Sequence, residues 1–165
     1  MERRTLVAGL GILLGASLIG YAAFGGATEE EEIRELFDRL AASVGFDEPI
    51  ANVIFHGSAL ADRWEDILDE RVEVRLREVN ASLPSERPRL AIASAQALTR
   101  YDSFHASMSN VDVEIAEEPR VRGSVTVTAT RGGAPESETR RFTAVVVRQS
   151  GDFLIRELVV EPAQD

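Results

Sequence analysis

Two hydrophobic periods divide this chain. From Glu29 to about Arg100 apolar residues recur every three or four positions, and from Phe104 onward they alternate with polar ones. A period near 3.6 builds helices with one buried stripe, and a period of two builds strands with one buried face. In the first part, Ile33, Leu36, Phe37, Leu40 and Val44 form one stripe of a helix predicted over Glu29–Val44, with Thr28 as its N-cap and Gly45 as its stop. The run Glu29–Glu32 suits the positive end of that helix better than it suits a calcium site. A second helix is predicted from about Pro49 through Ile54, Leu60 and Trp64, and a third, alanine-rich, over Arg89–Arg100. Between them "RVEVRL", Arg71–Leu76, reads as a short strand and "SLPSERP" as a loop.

The second part holds four β-rich runs, "HASMSNVDVEI", "RVRGSVTVTATR", "RRFTAVVVRQ" and "FLIRELVV", joined by short turn-rich connections. Consecutive runs so closely spaced predict an antiparallel meander. Helices first and strands last give an α+β fold, three N-terminal helices packed on one face of a curved, mostly antiparallel sheet. Along Arg120–Arg131 the split is clean: Val121, Gly123, Val125, Val127 and Ala129 face one way, arginines, serine and threonines the other. In the last two runs both faces carry apolar residues. Val145 and Val147 oppose Ala144 and Val146, and Leu154, Leu158 and Val160 oppose Phe153, Ile155 and Val159. A second apolar face needs a cover, from a loop, a ligand or a second subunit, and a homodimer through the sheet is the expectation.

Ahead of the domain, Arg3 and Arg4 precede an uncharged run from Thr5 to Thr28, and glutamates follow it at once. The roughly 20 residues Leu6–Gly25 make about 30 Å of helix, enough to span a bilayer. Charge on the two flanks favours a cytoplasmic N-terminus and an exported domain, hence a single-pass protein of an inner (cytoplasmic) membrane. The alternative is a secretory signal cleaved near Ala27, leaving a secreted or periplasmic protein. Gly11 and Gly15, with Ala16 and Gly20, permit close helix contact in a membrane, although such spacing is common in these segments. The expected organisation is thus an anchor over residues 1–28, one domain over 29–161 and a tail over 162–165.

Composition removes several chemistries. The chain has no cysteine, so thiolate nucleophiles, disulfides and cysteine-ligated metals are excluded. All 18 basic residues are arginine, which excludes Schiff-base catalysis and the lysine of a phosphate-binding loop. His56 and His105 are the only histidines and stand in no metal-ligand spacing. No metal or cofactor is expected, with an all-carboxylate site left open. From Thr28 onward 16 arginines face 27 carboxylates, a net charge of −11 that opposes nucleic-acid binding.

The order of elements, with "LADRWEDILDERVEVRL" closing the second helix and "FHASMSNVDVEI" opening the long strands, resembles the nuclear transport factor 2-like, or SnoaL-like, superfamily over nearly all of Glu29–Glu161. The most specific part is His105 followed by Ser109, Asn110, Val111 and Glu114, similar to the family's H-x-(x)-S-N-V-x-V-E pattern. The family's Asp-Gly turn is replaced here by "EEPRVRG". The resemblance implies a cone-shaped roll whose helices and concave sheet enclose a pocket, often in a dimer, and it implies no particular reaction.

Acid–base catalysis in such a cone needs a titratable group in an apolar cavity facing a polarising donor. The pocket candidates are His56, Trp64, Tyr101, His105 and Ser107, with His105 the weak catalytic candidate and Asp102 read as a turn residue. His105 and Ser107 share a strand face, and that face lines the pocket if it is the concave one. No dyad is identifiable, so no active site is assigned. The favoured reading is a membrane-tethered, noncatalytic binding or assembly module, homodimeric, holding a membrane-protein partner or a small hydrophobic ligand. By layout alone it resembles the single-pass assembly components of type IV secretion systems. The alternative is a small isomerase- or dehydratase-like enzyme, or a ligand carrier, acting on a hydrophobic metabolite through His105. A filled cone favours the first; an open cone with His105 and Tyr101 converging favours the second.

Overall fold

The computed structural model describes residues 27–79 and 81–162. Helix α1 (Glu29–Ser43) is followed by α2 (Val53–Trp64), strand β1 (Leu68–Leu76), a 3-10 turn, β2 (Ala81–Ser82), α3 (Arg87–Leu98) and four long strands. These are β3 (Ser103–Glu114), β4 (Arg120–Arg131), β5 (Ala134–Gln149) and β6 (Asp152–Val160). The single sheet has the order β2-β1-β6-β5-β4-β3. The last four strands form the expected meander, and β1 adds to β6 in parallel. The α+β class with helices on a mostly antiparallel sheet therefore holds. Among the described residues no helix is long and apolar enough to cross a membrane, and the expected anchor, Leu6–Gly25, lies outside those residues.

Local chemistry sets the helix ends. Thr28 and Glu31 form a reciprocal capping box at the start of α1. Helix α2 begins later than Pro49 because Asn52 caps it, its side chain accepting from the Phe55 amide at 2.9 Å. In α3, Pro88 occupies the first turn, where its missing N–H costs nothing.

Helix α1 lays Ile33, Leu36, Phe37 and Leu40 against the inner face of the sheet. There Phe37 stacks on Phe142 of β5, ring centroids 5.3 Å apart at 18°. Leu60 and Trp64 of α2, Leu90 of α3 and Val121, Ala144, Val146 and Ile155 of the sheet complete one continuous core. The Trp64 indole donates to Ser43 Oγ at 2.8 Å, and Ser43 Oγ donates to Leu40 O at 2.6 Å, so no polar atom of this pair is stranded in the core.

Two irregularities bend the sheet and change its faces. In β3 the register steps from Ser109↔Ser124 to Asp112↔Arg122, one extra residue on β3, with Asn110 at φ 52°. Arg34 of α1 donates to the Val111 carbonyl freed by that bulge. Gly123 lies across from the bulge, where an added Cβ would stand 2.9 Å from the Phe142 ring. In β6, Val145↔Glu157 is followed by Val146↔Ile155, which makes Arg156 the extra residue.

That second bulge corrects the expected faces of β6. Leu158 and Val160 register with Ala144 and Phe142 and so join Phe153 and Ile155 on the inner face, instead of opposing them. Of the outer apolar residues that remain, Val147, Leu154 and Val159 are already buried at 6, 9 and 5% exposure within this chain, and Val145 is half-buried. The open part of the outer face is therefore charged and hydroxylic, and no apolar face is left waiting for a cover.

Candidate functional site

Strand alternation sorts the sequence-derived candidates onto opposite sides of β3. Met108, paired with Val125, packs on the core, so Phe104 and Ala106 point inward with it. His105 and Ser107 point outward, beside Thr128 and Thr126 of β4. Their shared face is thus the outer face and does not line the cone. His105 Nε2 lies 2.9 Å from Asp47 Oδ1, with side chains 51% and 88% exposed. An exposed pair of this kind is solvated, and it pins the loop after α1 to the sheet edge.

Trp64 is 4% exposed, a wall of the core with its N–H satisfied. His56 and Tyr101 are drawn together indirectly, through two phenylalanines that the sequence did not single out. Phe46 forms a bridge with Phe104, N···O distances 2.8 and 2.9 Å, and their rings lie 6.3 Å apart. His56 meets Phe46 edge-on at 6.0 Å, and Tyr101 meets Phe104 at 5.6 Å. This row of four rings covers the end of the core beside α2. Phe46 and Phe104 are 58 positions apart, and no local signal announces their pairing.

Within the row His56 is the chemically unusual member. Its Nε2 is buried without a hydrogen-bond partner. Burial and then the nearby Arg63 guanidinium push its pKa down, so the ring is held neutral. Tyr101 is engaged elsewhere: the Arg131 guanidinium stacks 4.9 Å from its ring and donates to its hydroxyl at 3.2 Å. Asp102, expected to serve a local turn, instead reaches the distant β4–β5 hairpin, its Oδ2 accepting from the Gly133 amide at 3.2 Å. No group of three or more metal-ligating side chains gathers among the described residues.

The clefts lie away from these candidates. One of about 690 Å³ opens between α1 and the β5–β6 turn, rimmed by Glu32, Glu35, Glu65, Asp66 and Asp152 with Arg39. Two shallower hollows, about 450 and 530 Å³, lie on the sheet and share Arg122 and Thr143. Register places these hollows in two charged rows of the outer face. Glu114, Arg120, Val145 and Glu157 make one row; Asp112, Arg122, Thr143 and Val159 make the next. Beyond them come Ser109, Ser124 and Arg141, then Ser107, Thr126 and Thr139, then His105, Thr128 and Ser137, with the Thr126 and Thr139 hydroxyls 2.9 Å apart.

No family model matches the chain, and no curated protein matches it. Solved structures do. A nuclear transport factor 2-like superfamily protein from Salmonella enterica superposes with a TM-score of 0.64 at 10% identity, over 82% of this chain and 92% of that one. A protein from Novosphingobium aromaticivorans, provisionally named a scytalone dehydratase, gives 0.62 at 15%, over 80% and 82%. A protein from Xanthomonas campestris, provisionally named a calcium/calmodulin-dependent protein kinase II association domain, gives 0.62 at 18%, over 84% and 89%. At such identities the likeness carries the fold alone, and the fold of this chain is that of the nuclear transport factor 2-like proteins.

Proposed function

We propose that this protein is a membrane-tethered, noncatalytic binding or assembly module whose working surface is the outer face of its sheet, and that it acts as a homodimer through that face. The N-terminal run Leu6–Gly25 is the tether, with the domain exported. The observation that carries the reading is the state of the cone. Its interior is filled by Phe37, Phe142, Leu60 and Trp64, all at most 4% exposed. The acid–base candidates do not converge in it: His105 points outward to Asp47, and Tyr101 is held by Arg131. Proton transfer needs donor and acceptor within hydrogen-bond reach of one substrate, and this arrangement lacks that geometry. One structural neighbour carries the name of an association domain, which fits an assembly role.

Native mass spectrometry of the full chain in detergent tests this. A homodimer without a stoichiometric small molecule is expected. A retained small molecule, lost on His56→Ala or His105→Ala, would overturn the reading.

A second reading, a carrier or an isomerase- or dehydratase-like enzyme for a hydrophobic metabolite, draws on one observation. The unpartnered His56 Nε2, beside the Phe46 ring, is a polar atom that a ligand could satisfy. In that case the working residue is His56, inside, and not His105, outside.

A further inference from the structure

We infer that the β3–β4 half of the outer face is built to meet a second copy of this chain in one register, fixed by reciprocal Glu114–Arg120 and Asp112–Arg122 pairs across the interface. The inference rests on the sheet-mediated dimer proposed above and names the residues that would align it.

On the outer face β3 presents Glu114 and Asp112, then Ser109, Ser107 and His105; β4 presents Arg120 and Arg122, then Ser124, Thr126 and Thr128. Each acidic position of β3 is thus directly beside a basic position of β4, and each small hydroxyl of β3 is beside another on β4. A two-fold axis lying in the interface, parallel to the strands and between them, exchanges the two columns. Under that operation the acidic column of one copy faces the basic column of the other, twice over, and hydroxyls face hydroxyls. Any register shifted by one strand toward β5 sets Val145 and Thr143 against charges.

The charges are available. Arg120 and Glu114 form no ion pair with each other or with any other described residue, although they are register partners. Arg122 and Asp112 approach only to 3.5 Å, with side chains 71% and 70% exposed. Some surface arginines are tied closely, as in Arg148–Glu29 at 2.7 Å and Arg156–Glu118 at 2.8 Å, whereas Arg39, Arg71, Arg100 and Arg141 also form no ion pair with a described residue; Arg120 and Arg122 differ from these in standing beside an acidic column. Two arginines left loosely held in a chain this acidic are fitted to carboxylates brought from outside, and the second copy brings them.

The patch is modest. Two strands by twelve residues make about 10 by 40 Å, under the roughly 800 Å² per partner of a standard interface. Such a contact is weak in dilute solution and gains from a tether that raises the local concentration. Charge complementarity then does more for register than for affinity, and salt loosens it.

The test uses the full chain in membranes, with Thr126→Cys as the only thiol and a short bismaleimide as crosslinker, which the cysteine-free sequence allows. Dimer yield should fall at least about tenfold in Arg120→Glu/Arg122→Glu and equally in Asp112→Arg/Glu114→Arg, since like charges then face each other. Coexpressing the two variants, or reversing all four positions in one chain, should restore it. All four positions are exposed, so circular dichroism should show each variant folded. If the variants crosslink as well as the parent, the register is not set by these pairs and the inference fails while the sheet dimer stands. If the parent itself gives no crosslink, the dimer reading fails with it.

Discussion

The two faces of one sheet make opposite use of the same strands. On the inner face Phe142, Ala144, Val146 and Ile155 share one buried core with α1, and Phe37 lies flat on Phe142. On the outer face the intervening residues of β3 and β4 are arginine, carboxylate, histidine, serine and threonine, while β5 and β6 add Val147, Leu154 and Val159, which are buried. Alternation along a strand forces this division, since neighbouring side chains leave on opposite sides. In this protein the inner face serves stability, and the exposed residues of the outer face are those available to the binding role proposed above.

The comparison breaks first at its inner side. Phe142→Ala removes the ring that Phe37 stacks on, and a loss of about 3–5 kcal/mol in unfolding free energy is expected from chemical denaturation. A loss below about 1 kcal/mol would mean the interior is loosely packed and able to admit a ligand. Next, Trp64→Phe keeps most of the apolar contact but leaves Ser43 Oγ without the indole donor, at an expected cost of about 1–2 kcal/mol.

A smaller effect is the pH dependence of His56. Its folded pKa lies below the ordinary 6.5, so the unfolded chain takes up the proton first as pH falls. The stability due to the neutral buried ring is therefore complete above pH 6.5 and is lost as pH drops from there through the folded value. Midpoints of denaturation should decline over that window in the parent and stay flatter in His56→Gln; equal slopes would contradict the burial of Nε2. Smallest of all is His105→Ala. Losing an exposed contact to Asp47 should change stability by less than about 0.5 kcal/mol.

How much of this was legible in the sequence follows from where burial left a mark. Helix α1 and strand β4 fall where the pattern placed them, because each has one buried stripe or face and sharp end signals. The first half of β5 includes Ala134–Glu138, part of the turn-rich connection "GGAPESE" between two of the β-rich runs. It is polar and exposed, and only its pairing with β4, across Gly132 and Gly133 at positive φ, makes it a strand. Propensity cannot report a strand held by partner hydrogen bonds alone. The inward turn of Leu158 and Val160 was hidden for a related reason: one extra residue, Arg156, inverts the alternation, and a bulge has no local signature here.

The site was less legible than the fold. His56 and Tyr101 are pocket candidates in the sequence, but the residues that join them, Phe46 and Phe104, lie far apart in the chain. Placing His105 needed only one fact that the sequence withheld, which face of β3 the helices cover. The alternation of His105, Ser107 and Ser109 with Phe104, Ala106 and Met108 was visible throughout.

The measurement that bears most directly on the account is bismaleimide crosslinking of the full chain in membranes at single cysteines placed on the two sides of the domain. Thr126→Cys, on the outer sheet face, should give a crosslinked dimer, and Ile54→Cys, 73% exposed on α2, should not. A dimer trapped at position 54 and absent at 126 would place the working surface on the helices and contradict the account.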